Sequence, residues 1–452
     1  MPRRQVMLPL DRWSTVNILT RTGALACAPL RCAVVARYLS PTHLLRLLID
    51  MSTSTPSEPA ADAPATQAQP NVSPAHPRRT LASASTAHAL HDGFTDMIYV
   101  LLPVWQAEFA LSYGMLGLLR GLYSVAMAGL QVMVSQWARR WGAVSVLVAG
   151  TALAALGFGL AGLTTGLVGL SAALVLSGLG SSTQHPLASS AVARAYGAQS
   201  RAPLGVYNFG GDVGKAALPA ALSVLMTVLS WRESLWWMAG MGLMVAMALA
   251  LFMPAPAVAE TAPQTHTGSG AAKGGFKLLL TIGILDSATR MGFLTFLPFL
   301  LQSQGASLPV IGLGLALVFI GGALGKFACG WLGARFGLLA VVLVTEGGSA
   351  LAIVCVLLSP LTATLWILPV LGMMLNGTSS VLYGTVPELT SSDRIERAFS
   401  WFYTGTIGSG AIAPVLFGVL GDVTSVPTAT VATALVALST IPLAIQLSQR
   451  LQ

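Results

Sequence analysis

The feature that most constrains this chain is a recurrence: from about residue 86 to the C-terminus, apolar runs of 18 or more residues alternate with short polar breaks. A run of that length, coiled as an α-helix, crosses roughly 30 Å of hydrocarbon, where every backbone N–H and C=O must be satisfied inside the helix. Spans are read near 86–108, 114–136, 143–163, 166–193, 203–227, 234–254, 276–302, 309–332, 338–358, 363–388, 398–421 and 427–448. Only 9% of residues are charged, against about 25% in soluble domains, so a water-soluble enzyme is excluded. The longest interruption, 255–275, is rich in Pro, Gly and Thr and reads as a cytoplasmic linker. The expected fold is an all-α membrane protein: twelve transmembrane helices in two six-helix bundles, residues 85–254 and 276–452.

The halves repeat at one offset. Pro103 and Pro298, Gly142 and Gly337, Gly210 and Gly405, and Pro219 and Pro414 are each 195 residues apart and fall in corresponding elements. Four coincidences at one spacing point to two parallel repeats. With both termini inside, the cytoplasmic side holds Arg78, Arg79, Arg139, Arg140, Arg194, Arg201, Lys273, Lys277, Arg335, Arg394, Arg397 and Arg450, and the other side holds Arg232. This is the positive-inside pattern. The formal charge of +8 therefore faces an anionic membrane surface, and nucleic acid is not an expected partner.

Seven of the 24 basic residues are arginines within positions 1–50, opposed by Asp11 and Asp50. An Arg-rich, acid-poor leader has the composition of a transit peptide; the plainer expectation is an upstream start for a product that begins at Met51. Residues 51–84 are rich in Ser, Thr, Pro and Ala and are expected to be disordered, because such a segment buries too little apolar surface to offset ordering. Cys329 and Cys355 sit in apolar runs without metal or redox spacing and read as core residues.

Twelve helices as six plus six, a central linker and a loop motif after spans 2 and 8 resemble the major facilitator superfamily. That motif, G-x-L-a-D-R-x-G, stands here as Gly330-Trp-Leu-Gly-Ala-Arg335-Phe-Gly337 and as Ser135-Gln-Trp-Ala-Arg-Arg140-Trp-Gly142. In the family its Asp helps hold the cytoplasmic gate shut; positions 139 and 334 lack it, so that role is not assigned to them. Within the superfamily the chain is similar to fosmidomycin-resistance-like exporters. The similarity rests on His91-Asp92-Gly-Phe-Thr-Asp96 with Leu102-Pro103, on Gly178-Leu-Gly180 with His185-Pro186, and on Gly205, Gly210, Gly211, Gly214 and Pro219 in span 5.

Charges inside spans cost at least roughly 2.5–3.5 kcal/mol each on insertion scales, so they should face a partner or a wet cavity. Asp92 and Asp96 share one face of span 1. Two such carboxylates repel, and an apolar setting disfavours ionisation, as a proton-coupling site requires. The bland alternative has Asp92 simply wetted, one and a half turns from the helix end. Arg120 is expected to answer Asp96, clamp an anionic substrate group or pair structurally. In span 5, Asp212 faces the cavity or neutralises Lys215 locally. In span 7, Asp286 and Arg290 form an intrahelical pair or a cavity wall. His185 is either a packing residue or a proton carrier, its ordinary pKa lying near 6.5. Lys326 is expected to snorkel, and Glu388 to cap or gate. Glu346 is the weakest candidate, because span 9 is peripheral in the family.

The resulting assignment gives proton coupling to Asp96, Asp92, Asp212 and His185, and substrate binding to Arg120, Lys215, Asp286, Arg290 and Tyr207. Gating or packing falls to Gly210, Gly211, Gly214, Pro219, Arg335 and Glu388. No phosphate-cradling GxxxxGK[ST], no metal-ligand spacing and no GxSxG elbow occurs, so no cofactor, metal or enzymatic role is expected. The expected function is secondary transport by alternating access: proton-coupled efflux of a drug or metabolite, with uptake of a sugar, organic acid or other metabolite as the alternative. A monomer in a bacterial inner membrane is expected, with a small molecule, protons and lipid as its partners.

Overall fold

The computed structural model describes residues 76–254, 275–390 and 395–451. The leader, nearly all of the polar tail, and linker residues 255–274 with Lys273 lie outside this set, as does Arg394. The described residues are almost entirely helical and contain no strand. The helices are α1 (Pro77–Phe109), α2 (Tyr113–Gly129), α3 (Gln131–Trp141), α4 (Ala143–Ala161), α5 (Leu167–Ser181), α6 (Gln184–Tyr196), α7 (Arg201–Leu225) and α8 (Trp231–Phe252). They continue as α9 (Gly275–Ser303), α10 (Leu308–Leu358), α11 (Leu361–Thr385), α12 (Ile395–Val423) and α13 (Val426–Leu451).

Local chemistry sets the ends. Pro77 opens α1, where its missing N–H costs nothing. The Ser112 hydroxyl accepts from the Met115 amide at the start of α2, and Ser230 and Glu233 form a reciprocal capping box on α8. The hydroxyl and amide of Ser230 hold the exposed Glu233 carboxyl below its usual range. The final glycines of the two loop motifs, Gly142 and Gly337, have φ of 86° and 79°. Both turns need the left-handed backbone that glycine supplies without strain, which is why this landmark repeats.

Three expectations change in detail. α1 begins at Pro77, so residues 77–84, read as the end of a disordered tail, are helical. Span 2 is α2 plus α3, bent by 53°. Span 4 breaks at Ser182–Thr183 into α5 and α6, which places Pro186 in the first turn of α6, where its missing N–H costs no helical hydrogen bond. Eight of the described helices are long and apolar enough to cross a membrane, nine if the bent pair is one span. Within that count α10 is two spans joined at Gly337. The spans α1 and α7 fall short because they carry Asp92, Asp96, Asp212 and Lys215, and with them the expected twelve are complete.

The outer surface is as apolar as the interior: Val168, Leu358 and Trp366 are more than three-quarters exposed, as suits a surface solvated by lipid. Inside, one continuous core joins both bundles through Leu102, Trp105, Leu111, Leu297, Phe299 and Leu301. At the end carrying Arg139, Arg140, Arg194 and Arg335, each bundle has a core of its own, one around Val146, Leu187 and Leu249, the other around Leu279, Val342 and Leu447. The bundles are thus sealed together at one end and parted at the basic end. Two crossings hold the sealed end. A Cβ on Gly117 of α2 would strike the Pro414 carbonyl of α12, and one on Gly312 of α10 would meet the Pro219 carbonyl of α7 at 3.0 Å. Each glycine–proline crossing is the other's copy at the 195-residue offset.

Candidate functional site

Where the shared core ends, a cavity of about 220 Å³ lies between the bundles. One wall carries Asp92, Thr95 and Asp96 of α1, Arg120 and Ser124 of α2, His185 of α6 and Lys215 of α7. The other carries Ser287 and Arg290 of α9, Asn376 and Tyr383 of α11 and Thr406 of α12.

Asp92 is the most heavily partnered of these groups. His88 Nε2 is 3.2 Å from Oδ2, Lys215 Nζ is 3.2 Å from the same oxygen, and His185 Nε2 is 3.5 Å from Oδ1. Because α1 starts nine residues earlier than the apolar run suggested, Asp92 lies about four turns into the helix. It is only 7% exposed, so it is not a wetted end residue. The glycine stripe of α7 makes the cluster possible. A Cβ at position 211 would lie 2.6 Å from His88 Nε2 and 2.8 Å from Asp92 Oδ2, and one at 214 would strike the Ala89 carbonyl. Gly210 packs on Ser85 in the same way. The stripe permits close helix approach. One potential ligand atom from each of His88, Asp92 and His185 lies within 4.8 Å of the others, a convergence that no linear spacing shows. The ammonium of Lys215 already supplies the positive charge at that point.

Asp96 is buried, lines the same cavity and has no ion pair within 4.0 Å among the described residues. Arg120 therefore does not pair with it. The guanidinium, 2% exposed, sits 5.1 Å from the Tyr99 ring centroid and 5.9 Å from that of Tyr123, and donates to Ser124 Oγ. Its Nε is unpartnered, as is that of Arg290 on the opposite wall. Neither arginine has a carboxylate within 4.0 Å among the described residues. A buried cation without a counter-charge is costly. Arg120 and the half-buried Arg290 face one cavity from opposite bundles, each with a planar guanidinium fork whose geometry suits anionic groups.

Several assignments move. Asp212 neither neutralises Lys215 nor lines this cavity: its Oδ1 takes the ammonium of Lys326 at 2.5 Å, linking α7 to α10 across the bundles. Lys326 accordingly does not snorkel; a buried carboxylate within reach outcompetes the helix end. Asp286 does not form a pair with Arg290. It is buried and absent from the lining of the cavity, and Glu346 of α10, the weakest sequence candidate, is buried as well. Tyr207 does not reach the cavity: its ring stacks on His88 with centroids 4.2 Å apart, and its carbonyl oxygen is 2.9 Å from His88 Nδ1. Arg335 lies over Trp331 and Phe336 on the exposed helical turn before Gly337 and has no carboxylate within 4.0 Å among the described residues. Glu388 lines a separate groove of about 680 Å³ at the basic end of the C-terminal bundle.

The sequence reading passed over His88, although its i, i+4 spacing to Asp92 is the same signal that paired Asp92 with Asp96. Its neighbour His91 instead points away, to Ser181 Oγ at 3.2 Å and Thr151 Oγ1 at 3.0 Å. Asn376, Ser124 and Tyr383 carry no charge and gave no sequence signal.

Known proteins agree with this architecture. The chain is 24% identical over 366 residues to the fosmidomycin resistance protein of Escherichia coli strain K12, covering 76% of this chain and 87% of that protein. Its fold is similar to a bacterial homologue of the human lysosomal transporter Spinster in an inward-facing, occupied conformation: TM-score 0.70, 18% identity, 82% of this chain and 96% of that one. A nucleoside transporter gives a TM-score of 0.69 at 15% identity, covering 82% of this chain and all of that one. The family model of the Major Facilitator Superfamily matches residues 84–285 and again 279–449. Twelve spans in two repeats, a cavity between them and two family matches, one per repeat, place this chain in the Major Facilitator Superfamily, a family of membrane transporters.

Proposed function

We propose that this chain exports a small polar molecule bearing an anionic group, in exchange for protons. The observation that carries the reading is the arginine pair: Arg120 and Arg290 face one cavity from opposite bundles, and among the described residues neither has a carboxylate within 4.0 Å. An anion bridging them engages both bundles at once, and alternating access about such a site is what a two-repeat transporter requires. Asp96 supplies the exchange logic. A buried carboxylate without an ion pair can accept a donor group of the substrate or a proton, not both, so each displaces the other. Zwitterions with a phosphonate or carboxylate at one end and an ammonium at the other fit both halves of this site. In this reading the bundles 85–254 and 276–452 rock as units, a monomer suffices, and the membrane is a bacterial inner membrane. The similarity to a fosmidomycin resistance protein favours efflux and antimicrobial tolerance over uptake.

The test uses proteoliposomes and aminoethylphosphonate as the probe. An imposed proton gradient should drive the probe against the protons, and Asp96→Asn should abolish that drive. Probe movement along with the protons would make the protein an importer and overturn the export reading; full gradient-driven transport by Asp96→Asn would remove Asp96 from the coupling. In cells, a knockout and overexpression panel of phosphonates and other small polar antimicrobials should shift tolerance in opposite directions.

A further inference from the structure

We propose that His88 carries a transported proton: the His88–Asp92 pair of α1 holds it as an imidazolium on a carboxylate. This rests on the proton-exchange reading above and adds to it a residue outside the sequence-based assignment.

Counting hydrogens makes the argument. His88 Nδ1 lies 2.9 Å from the Tyr207 carbonyl oxygen. A carbonyl only accepts, so Nδ1 carries a hydrogen. The stacked Tyr207 ring, tilted by 27°, holds the imidazole in that orientation. The other nitrogen, Nε2, is 3.2 Å from Asp92 Oδ2. If it were bare, its lone pair would face the lone pairs of a carboxylate oxygen. The contact is attractive only with a second hydrogen between the two atoms. The neighbouring histidines need no such addition. His185 reaches Asp92 Oδ1 through Nε2 at 3.5 Å, which a neutral ring with its hydrogen on Nε2 satisfies. His91 is satisfied by two hydroxyls: Thr151 Oγ1 donates to the Leu147 carbonyl and so accepts from Nε2, leaving Ser181 to donate to Nδ1. Of the three rings, only His88 demands the extra proton.

The titratable groups around the pair are His91 and Asp96 on its own helix, His185 from α6, Lys215 and Tyr207 from α7 and, further off, Lys326 from α10. Loading takes a proton from hydronium to Nε2 and leaves water; release reverses this, and no other bond changes. After release, Lys215 alone holds Asp92 Oδ2 strongly, and the bare Nε2 repels that oxygen. The seam has no slack to absorb this, because Gly211 packs directly on both atoms. α7 also carries Asp212, which grips Lys326 of the other bundle. The charge on His88 thereby biases the α1–α7 contact and, through α7, the contact between the bundles.

The experiment has two arms on the full chain. In the first, histidine ring nitrogens are observed by ¹⁵N NMR in detergent, with His88 identified by difference against His88→Asn. Two protonated nitrogens on His88, reverting to a neutral ring in Asp92→Asn, are expected; a neutral His88 bare at Nε2 in the wild type overturns the proposal. In the second, His88→Asn, which keeps a donor to the Tyr207 carbonyl, and His88→Gln, which keeps one towards Asp92, are reconstituted. Gradient-driven aminoethylphosphonate transport should fall about tenfold relative to gradient-free exchange by the same protein. Undiminished gradient-driven transport in both variants overturns the assignment. Should the wild type show no proton drive at all, the exchange reading fails, and the NMR arm still decides the protonation of His88.

Discussion

The α1–α7 seam of the N-terminal bundle and the α9–α12 seam of the C-terminal bundle are the same crossing, built with different chemistry. At the 195-residue offset His88 corresponds to Gly283, Tyr207 to Phe402, Asp92 to Ser287, Gly211 to Thr406 and Lys215 to Gly410. In the first seam an imidazole stacks on a phenol ring and leads to a carboxylate and an ammonium. In the second the ring of Phe402 fills the space itself, so that a Cβ on Gly283 would meet its Cζ at 2.6 Å. Ser287 there simply donates to the Thr406 carbonyl at 2.7 Å. The backbone crossing therefore needs no charge. Since buried charges in a membrane are costly, their retention in one seam alone points to function there rather than to architecture.

The strongest way to break this comparison is Gly214→Val. The new side chain meets the Ala89 carbonyl, which cannot yield, and overpacking of this kind should cost about 3 kcal/mol and lower the thermal midpoint in detergent. Its counterpart Ser409 already tolerates a side chain and donates to the Ile284 carbonyl at 2.7 Å. Ser409→Ala should cost well under half as much, and equal losses would erase the asymmetry. Next come the two arginines. Arg120→Ala and Arg290→Ala should each weaken binding of aminoethylphosphonate by about 2 kcal/mol in calorimetry, the usual worth of a charged hydrogen bond, whereas Arg120→Lys should recover only part because the fork is lost. A single dominant arginine would show that the anion is seated on one bundle instead of between them.

A smaller effect lies in the pair joining the bundles. Asp212→Asn and Lys326→Met should show a coupling of about 1 kcal/mol in a double-mutant cycle on unfolding, since the lysine is one-third exposed. The least effect is expected at the sealed end. Asp422 of α12 accepts from the Tyr113 and Gly114 amides of α2 at 2.7 and 2.8 Å, while its counterpart Thr227 only bonds its own helix. Asp422→Ala should cost about 0.5 kcal/mol as a lost cap and Thr227→Ala nothing measurable. A reversed order would mean that the two crossings share their load differently from the contacts seen here.

Much of this was legible in the chain itself. The twelve spans, the repeat and the end that carries the cations follow from local hydropathy and loop composition. Gly142, Gly337, Pro219 and Pro414 were visible as landmarks, although their purposes, a left-handed turn and the crossings between bundles, were not. Within the site, Asp92, His185, Lys215, Arg120 and Arg290 were named from intramembrane charge alone and meet in one cavity. Asp212, Asp286, Tyr207 and Lys326 were named too, but their partners were misjudged. Near neighbours along a helix were offered as counter-charges, and none of those pairs forms.

Sequence by itself determined the class of this protein, because crossing a bilayer is a demand on each helix separately: enough apolar length, satisfied backbone and cations at one end. Only the tertiary structure decided which charge answers which. Lys215 reaches Asp92 from another helix, and Lys326 reaches Asp212 from another bundle. An ion pair depends on separation in space, and that separation is set by how closely glycine lets two helices approach. The arginines stand apart for the same reason: packing left both facing the cavity, with no carboxylate within 4.0 Å of either among the described residues.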